Sequence, residues 1–236
     1  MDPNVVARNI PADVSRTVKP CPAVVDRSAS NSSSNGSGNS LASLPAARTN
    51  PTVLPDSFLE SMTPLILFRH PALMIPSFYR AAQKGKLDIS IFDEDWPVNA
   101  SLRWLRLVYD WYASHAPGMN ATSIIVIDSD DLINSPGFTP RLCAKLGIDE
   151  RKLQTSWEPA TEAFRADKGP MVSSFRSTLW DSTGIIRSTR RDCEIDISVE
   201  REKLRDEFGA EVGKSMARYI DLAMEDYLYL RERRFH

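Results

Sequence analysis

Two short apolar runs, at residues 63–68 (TPLILF) and 123–128 (SIIVID), stand out from the polar background of the chain. Neither run alternates between apolar and polar positions. Continuous apolar runs of this length are typical of strands that are covered on both faces, as in a parallel sheet between layers of helices. The sequence therefore predicts two buried strands.

Helical patterns follow each of these runs. Residues 71–85 (PALMIPSFYRAAQKG) predict a helix that begins at Pro71, is kinked or delayed by Pro76 and ends at Gly85. Three further helical regions are predicted at residues 100–116, at residues 137–148 with Gly147 closing the helix, and at about 198–232, where one apolar stripe contains Val212, Met216, Ile220, Ala223 and Tyr227. Residues 160–193 give only weak signals. The order strand, helix, helix, strand, helix predicts an α/β protein.

The composition changes near residue 48. Between Ser28 and Ser43, eight of sixteen residues are Ser and three are Asn, with almost no apolar side chains to offset the entropy cost of ordering the backbone. We therefore expect residues 1–48 to be a disordered Ser/Asn-rich segment and residues 49–236 to form the α/β domain.

Charge and composition exclude several classes of function. The net charge is -2 and the isoelectric point is near 6.0, so we expect no nucleic-acid partner. No apolar run approaches the roughly 18 residues of a membrane span, and the N-terminus lacks the pattern of a signal peptide, so we expect no membrane partner and a cytoplasmic location. Three widely spaced cysteines suggest neither a disulfide framework nor a zinc site.

The residues between the first strand and the helix after it are candidates for anion binding. Ligands of parallel sheets collect at the carboxyl ends of the strands, where a helix N-terminus offers free N–H groups and a partial positive charge. Arg69 supplies a charged fork suited to phosphate there, and Ser77 adds a hydroxyl one or two turns later. The alternative is that Arg69 forms an ordinary surface ion pair. His70, beside Pro71, is expected to be a polar cap rather than a catalytic group.

Several segments, taken together and in order, resemble the sulfotransferase superfamily. They are residues 50–58 (NPTVLPDSF), 65–80 (LILFRHPALMIPSFYR), 126–136 (VIDSDDLINSP), 142–149 (LCAKLGID), 177–185 (STLWDSTGI), 202–209 (EKLRDEFG) and 223–234 (AMEDYLYLRERR). The chain from about Asn50 onwards is most similar to fungal sulfotransferase-like proteins described as P-loop-containing. The resemblance implies a P-loop-NTPase-like, sulfotransferase-type parallel sheet flanked by helices. It also implies that Arg69 and Ser77 bind the 3'-phosphate of 3'-phosphoadenosine 5'-phosphosulfate.

One departure from the family pattern concerns the phosphosulfate-binding loop, which in sulfotransferases lies between a first strand and a helix. The corresponding part of this chain holds the Ser/Asn tract, so the resemblance implies an N-terminally truncated domain or an incomplete gene model. Residues 209–215 (GAEVGKS) do not replace the loop, because a Walker A loop has four residues between its glycines and this segment has three, within a helical pattern. Gly209 is instead expected to break a helix and Lys214 to lie on a solvated face.

Other candidates carry weaker expectations. Asp128, Asp130 and Asp131 could hold Mg²⁺, but Asp130 or Asp131 is more simply a helix cap. Most aromatic residues at 96–112 are expected in the core, with Trp96 the best candidate for lining an acceptor pocket. Arg187, Arg190 and Arg191 could reach a nucleotide phosphate or form a solvated charge run. No catalytic base can be assigned from the three histidines.

Two functional hypotheses follow. In the first, the protein transfers a sulfuryl group from 3'-phosphoadenosine 5'-phosphosulfate to a hydroxyl of a small-molecule acceptor, with fungal specialised metabolism as the expected setting. In the second, it is a non-catalytic relative that binds a nucleotide weakly or packs against a partner. Arg69 and Ser77 favour the first hypothesis, whereas the missing loop favours the second.

Overall fold

The sheet consists, within the described part of the chain, of two parallel strands. A computed structural model describes residues 50–115, 123–187 and 195–236. Strand β1 (Leu65–Phe68) pairs with β2 (Ile125–Asp128) in a register that sets Leu65 opposite Ile125 and Phe68 opposite Asp128. The carboxyl ends of the strands are therefore level, and residues 69 and 129 leave the sheet at the same edge.

Helices make up most of the remaining described structure. In chain order they are α1 (Asp56–Glu60), α2 (Pro71–Lys84), α3 (Trp96–Asn99), α4 (Arg103–His115), α5 (Ser129–Asn134), α6 (Phe138–Leu146), α7 (Glu162–Ala166), α8 (Pro170–Asp181), α9 (Ile197–Phe208) and α10 (Ala210–Glu232), with a 3₁₀ turn at Glu150–Lys152. The predicted helices after each strand are confirmed, including proline at the first position of α2 and Gly147 after α6. None of these helices is long and apolar enough to cross a membrane.

One face of the sheet packs against α4 and α10. Ile66, Phe68 and Val126 are buried there together with Tyr109 of α4 and Tyr227 of α10. The ring of Phe68 meets that of Tyr227 edge-on, with centroids 5.6 Å apart. This packing holds the C-terminal helix α10 over the carboxyl half of the sheet.

The opposite face is covered at β2 but not at β1. Ile125 and Ile127 are buried against Phe138 of α6. Leu65 and Leu67, which share that face, are 46% and 50% exposed. The prediction that both strands are covered on both faces is thus confirmed for β2 and wrong for β1, because no element in residues 50–115, 123–187 and 195–236 covers its second face.

A second core lies between α2, α9 and α10, and it contains Trp96. This side chain is fully buried and meets the rings of Phe78 and Tyr79 edge-on, at centroid distances of 5.4 and 5.7 Å. The suggestion that Trp96 lines an acceptor pocket is therefore wrong. The ring belongs to the core because Trp96 starts a short helix instead of lying in an open loop.

The C-terminal region is a pair of helices joined at Gly209. This residue has a φ of 84°, a conformation that favours glycine, and it ends α9 immediately before α10 begins. Met216, Ile220, Ala223 and Tyr227 form the buried stripe of α10, as predicted, and Val212 is partly buried against the same core. The weakly patterned segment 160–193 holds α7 and α8, which the sequence did not predict.

Two expectations about domain type stay predictions. The Ser/Asn-rich segment 1–48 lies outside the described residues. A small parallel sheet with helices is consistent with an α/β fold, but residues 50–115, 123–187 and 195–236 contain no glycine-rich loop between a strand and a helix, so the P-loop-NTPase-like class is not observed directly.

Candidate anion-binding site

Arg69 is the first residue after β1, and its side chain is exposed. No described residue forms a hydrogen bond or an ion pair with its guanidinium. Some exposed arginines are paired, for example Arg80 with Glu207 and Arg201 with Asp221, whereas others, such as Arg218, resemble Arg69 in having no such partner among the described residues. Within the described part of the chain, Arg69 is an unpaired cation at the carboxyl edge of the sheet, where the sequence predicted it.

His70 caps helix α2 and uses the backbone donors of its first turn. Its Nδ1 accepts a hydrogen bond of 3.1 Å from the N–H of Ala72, and its carbonyl oxygen accepts from Leu73 and Met74 at 2.9 and 3.0 Å. Pro71 has no N–H to offer. The expectation that His70 is a polar cap is confirmed. The expectation of free amides at this helix start is wrong, because His70 already occupies them.

Ser77 lies on the exposed side of α2. It is six residues after Pro71, so it sits about 9 Å further along the helix axis. Neither Ser77 nor Arg69 has a hydrogen-bond partner among the described residues. Farther along the same side, Arg80 pairs with Glu207 at 2.6 Å and Lys84 donates to the hydroxyl of Ser177 at 3.0 Å. Arg69 and Ser77 are thus both available to a ligand that reaches along the first two turns.

Asp128, at the end of β2, caps α5. Its carboxylate accepts a hydrogen bond of 3.0 Å from the N–H of Asp130 and one of 3.3 Å from the hydroxyl of Tyr227. The cap is therefore Asp128, not Asp130 or Asp131 as the sequence suggested. Burial raises the pKa of Asp128, and the charges of the two following aspartates add to the shift, although both hydrogen bonds oppose it.

The neighbouring acids have structural partners. Asp131 accepts a hydrogen bond of 2.8 Å from Nε of Arg234, and Asp130 accepts one of 2.7 Å from the amide of Asn134. Within the described ranges, no group of three or more His, Cys, Asp or Glu side chains is arranged to hold a metal ion. In this structure Asp128 caps α5, and Asp131 links α5 to Arg234 near the C-terminal end of the chain.

Tyr227 and Arg234 bring the C-terminal helix to the same edge of the sheet. The ring of Tyr227 stacks edge-on against His70 at 4.8 Å while its hydroxyl reaches Asp128. Tyr227 thereby links the cap of α2 to the cap of α5. The sequence predicted Tyr227 only as part of the apolar stripe of α10. Its hydroxyl group, among otherwise apolar positions, was the signal that it also forms a polar contact.

The other basic candidates are only partly described. Arg187 donates through Nη1 to the carbonyl oxygen of Ile133 at 2.9 Å, which places it beside the end of α5. Arg190 and Arg191 lie outside the described residues. Lys214 is exposed and Gly213 is buried, and both lie inside α10, so residues 210–215 are helical as expected and Gly209 precedes them as the break between α9 and α10.

The chain is similar to two fungal proteins named sulfotransferase ppzF. It is 35% identical over 196 residues to the protein of Metarhizium rileyi (strain RCEF 4871) and to that of Metarhizium majus (strain ARSEF 297). Each match covers 80% of this chain and 57% of the relative, so the chain spans little more than half the length of the curated relatives it matches. No family model and no solved structure matches. The chain is a sulfotransferase-like relative of these fungal proteins.

Proposed function

We propose that the protein binds 3'-phosphoadenosine 5'-phosphosulfate through Arg69 and Ser77 and transfers its sulfuryl group to a hydroxyl of a small molecule. The observation that carries the proposal is an exposed guanidinium directly after β1 that no described residue pairs, two turns from an exposed serine, in a chain similar to two proteins named sulfotransferase. The expected setting is fungal specialised metabolism in the cytoplasm.

Arg69 and Ser77 would hold the 3'-phosphate end of the donor. The planar guanidinium can donate two parallel hydrogen bonds to phosphate oxygens, and the Ser77 hydroxyl can donate a third. Because the first-turn amides of α2 are bonded to His70, this phosphate would be held by side chains and by the dipole of α2. Replacing Arg69 should therefore remove a large part of the affinity.

The transfer itself exchanges one bond to sulfur for another. The acceptor oxygen forms a bond to sulfur, the bond between sulfur and the bridging phosphate oxygen breaks, and adenosine 3',5'-bisphosphate leaves with that oxygen. The acceptor proton passes to a base. The contribution of Arg69 and Ser77 is to anchor the donor so that its reactive end is held in place.

The second candidate function is nucleotide or partner binding without catalysis. It is favoured by the use of the first-turn amides of α2 within the chain, which leaves a smaller phosphate site than a free helix start would give. This candidate predicts that the nucleotide binds but no sulfuryl group moves.

Both candidate functions require that the nucleotide binds at Arg69, and a calorimetric titration with adenosine 3',5'-bisphosphate tests this binding. Loss of a hydrogen bond to a charged group costs about 1.5 to 3 kcal/mol, so Arg69→Ala should weaken binding by about 10- to 150-fold. Arg80→Ala is the matched control, because Arg80 lies on α2 near Ser77 but is engaged by Glu207, and it should change affinity by less than about twofold. Equal affinities of wild type and Arg69→Ala for adenosine 3',5'-bisphosphate would show that Arg69 does not bind the nucleotide.

A transfer assay then separates the two candidates. The chain is incubated with sulfur-labelled donor and a panel of phenols and alcohols, and label on the acceptor is measured. Label transfer that Arg69→Ala reduces supports the enzyme. Binding that depends on Arg69, with no transfer to any acceptor, supports the non-catalytic alternative.

A further inference from the structure

Strand β1 has a backbone edge that no described residue uses. The N–H of Ile125 in β2 donates to the carbonyl oxygen of Pro64 at 3.0 Å, and Ile125 lies opposite Leu65. In a parallel ladder a residue bonds to the two neighbours of its partner, so the even-numbered residues of β1 turn their backbone groups towards β2. The N–H and carbonyl groups of Leu65 and Leu67 therefore point away from β2, and within the described part of the chain nothing bonds to them.

The side chains of the same two leucines lie on the uncovered face of the sheet. Leu65 and Leu67 are 46% and 50% exposed, whereas Ile66 and Phe68, on the packed face, are 4% and 2% exposed. An edge that combines free backbone groups with exposed apolar side chains is a template for a further strand. The chemistry of this edge therefore calls for another strand rather than for a small ligand.

The outer edge of β2 is used within the chain. The N–H of Phe235 donates to the carbonyl oxygen of Val126 at 2.7 Å, so the C-terminal residues run along that edge. Ile125 and Ile127 of β2 are buried against Phe138. Within the described residues the sheet thus offers a strand only the edge of β1, and a copy of the chain that docks there closes the assembly instead of extending it.

We propose that the edge of β1 binds β1 of a second copy of this chain, antiparallel and about a two-fold axis at Ile66. In this register Leu65 lies opposite Leu67 of the second copy, and each such pair exchanges both backbone hydrogen bonds. Residues directly opposite each other share a face, so the leucines of both copies meet on the face that is uncovered in one chain. The edge is therefore complementary to itself, as a two-fold interface requires.

The charges at the two ends of β1 favour this antiparallel arrangement. Glu60 ends α1 shortly before the strand and Arg69 follows the strand directly; both are exposed, and neither has an ion pair among the described residues. Residues 50–64 contain two acids and no Lys or Arg. Antiparallel pairing brings the acidic end of one strand to the basic end of the other, whereas parallel pairing would bring two copies of Arg69 together. A second copy therefore matches the edge in charge as well as in hydrogen bonding.

Sedimentation of the full chain over a range of micromolar concentrations tests the assembly. The mass should rise from 26.5 kDa to twice that value, without larger species. Leu67→Lys places a charge on the edge and should weaken the dimer at least about tenfold. Leu179→Lys is the matched control, because Leu179 is a 54% exposed leucine on α8, and it should change the association by less than about twofold.

Amide hydrogen exchange followed by NMR separates strand pairing from packing of the leucine side chains alone. In the dimer the amides of Leu65 and Leu67 should exchange at least about tenfold more slowly than in the dilute chain, because they become hydrogen-bonded. The amide of Ile66 faces β2 and should change little. This measurement uses the unsubstituted chain, so it decides the question even if Leu67→Lys does not fold, which circular dichroism shows.

Four results would overturn the proposal. The first is a monomer at every concentration, or an open series of larger species. The second is a dimer that a folded Leu67→Lys leaves intact, and the third is a dimer that Leu179→Lys dissociates, which would place the interface on α8. The fourth is equal protection of the Leu65 and Leu67 amides at all concentrations, which would show that the chain covers its own edge. No nucleotide is used, so failure of the dimer and failure of the anion site are observed separately.

Discussion

Replacing Gly213 with alanine should destabilise the C-terminal helix pair. A Cβ built on Gly213 in α10 would lie 2.8 Å from Cα and N of Arg205 and 2.9 Å from the carbonyl carbon of Leu204 in α9. Non-bonded heavy atoms normally approach to about 3.5 Å, so α9 must move by about 0.7 Å. The obstructing atoms are backbone, so no side-chain rotation relieves the contact.

The expected magnitude is the difference of two effects. Overpacking a well-packed contact costs about 3 kcal/mol at the upper end of its usual range, which suits a clash with backbone. Alanine is the better helix former by about 1 kcal/mol. The net loss is about 2 kcal/mol, which lowers the Tm of a domain of this size by about 4 to 8 °C.

Thermal and urea unfolding of Gly213→Ala, followed by circular dichroism, measure this loss. Lys214→Ala is the matched control, because Lys214 is the exposed neighbour in the same helix, and its effect should be within about 0.5 kcal/mol. Lys214→Ala should also leave binding of adenosine 3',5'-bisphosphate unchanged, since this lysine belongs to no phosphate loop. An unchanged or raised Tm for Gly213→Ala would refute the close approach of α9 and α10.

Two further predictions concern the carboxyl edge of the sheet. Burial raises the pKa of Asp128 above its ordinary 3.8. Between the pKa of the unfolded chain and that of the folded protein, the folded state therefore binds more protons than the unfolded state. The free energy of unfolding should accordingly fall as the pH rises above about 4. Asp128→Asn keeps the cap and should flatten this part of the pH dependence in urea unfolding; an unaltered profile would show that Asp128 does not cause it. His70→Ala should cost at least about 1 kcal/mol, since Ala72 loses its cap, and His70→Asn should recover part of that loss. Equal stability of His70→Ala and wild type would contradict the cap.

Much of the fold could be predicted because local rules decide it. Pro71, Gly147 and Gly209 mark helix ends through backbone chemistry, which acts without help from distant residues. The stripe of α10 was visible because one face of a long helix must be apolar to pack. Each of these features depends only on residues that are close together in the sequence.

The errors arose where distant contacts decide the outcome. The apolar run at β1 does not reveal that Leu65 and Leu67 lack a covering element among the described residues. Trp96 looked like a loop residue, and only the packing of α2 against α10 shows it to be core. Helix α7 has only five residues, too few to show a period. In α8, Met171, Phe175 and Leu179 do recur at helical spacing, but the surrounding Ser, Thr and Arg residues obscured this signal.

The candidate site was located from sequence, but its chemistry was not fully foreseen. Arg69 and Ser77 were proposed because a strand end followed by a helix is a recognisable place for an anion and because the segment resembles sulfotransferases, and their role in binding stays a prediction. The position of His70 beside Pro71 predicted the cap, but not that the side chain and carbonyl oxygen of His70 together occupy the first amides of α2. The hydrogen bond from Tyr227 to Asp128 joins residues 99 positions apart and leaves no pattern in the sequence.

A crystal structure of the chain with adenosine 3',5'-bisphosphate would test the central claim most directly. The account predicts the 3'-phosphate at the carboxyl edge of β1, with its oxygens within about 3.2 Å of the Arg69 guanidinium and the Ser77 hydroxyl. Nucleotide bound elsewhere, with the Arg69 side chain turned to solvent, would contradict the assignment of this site.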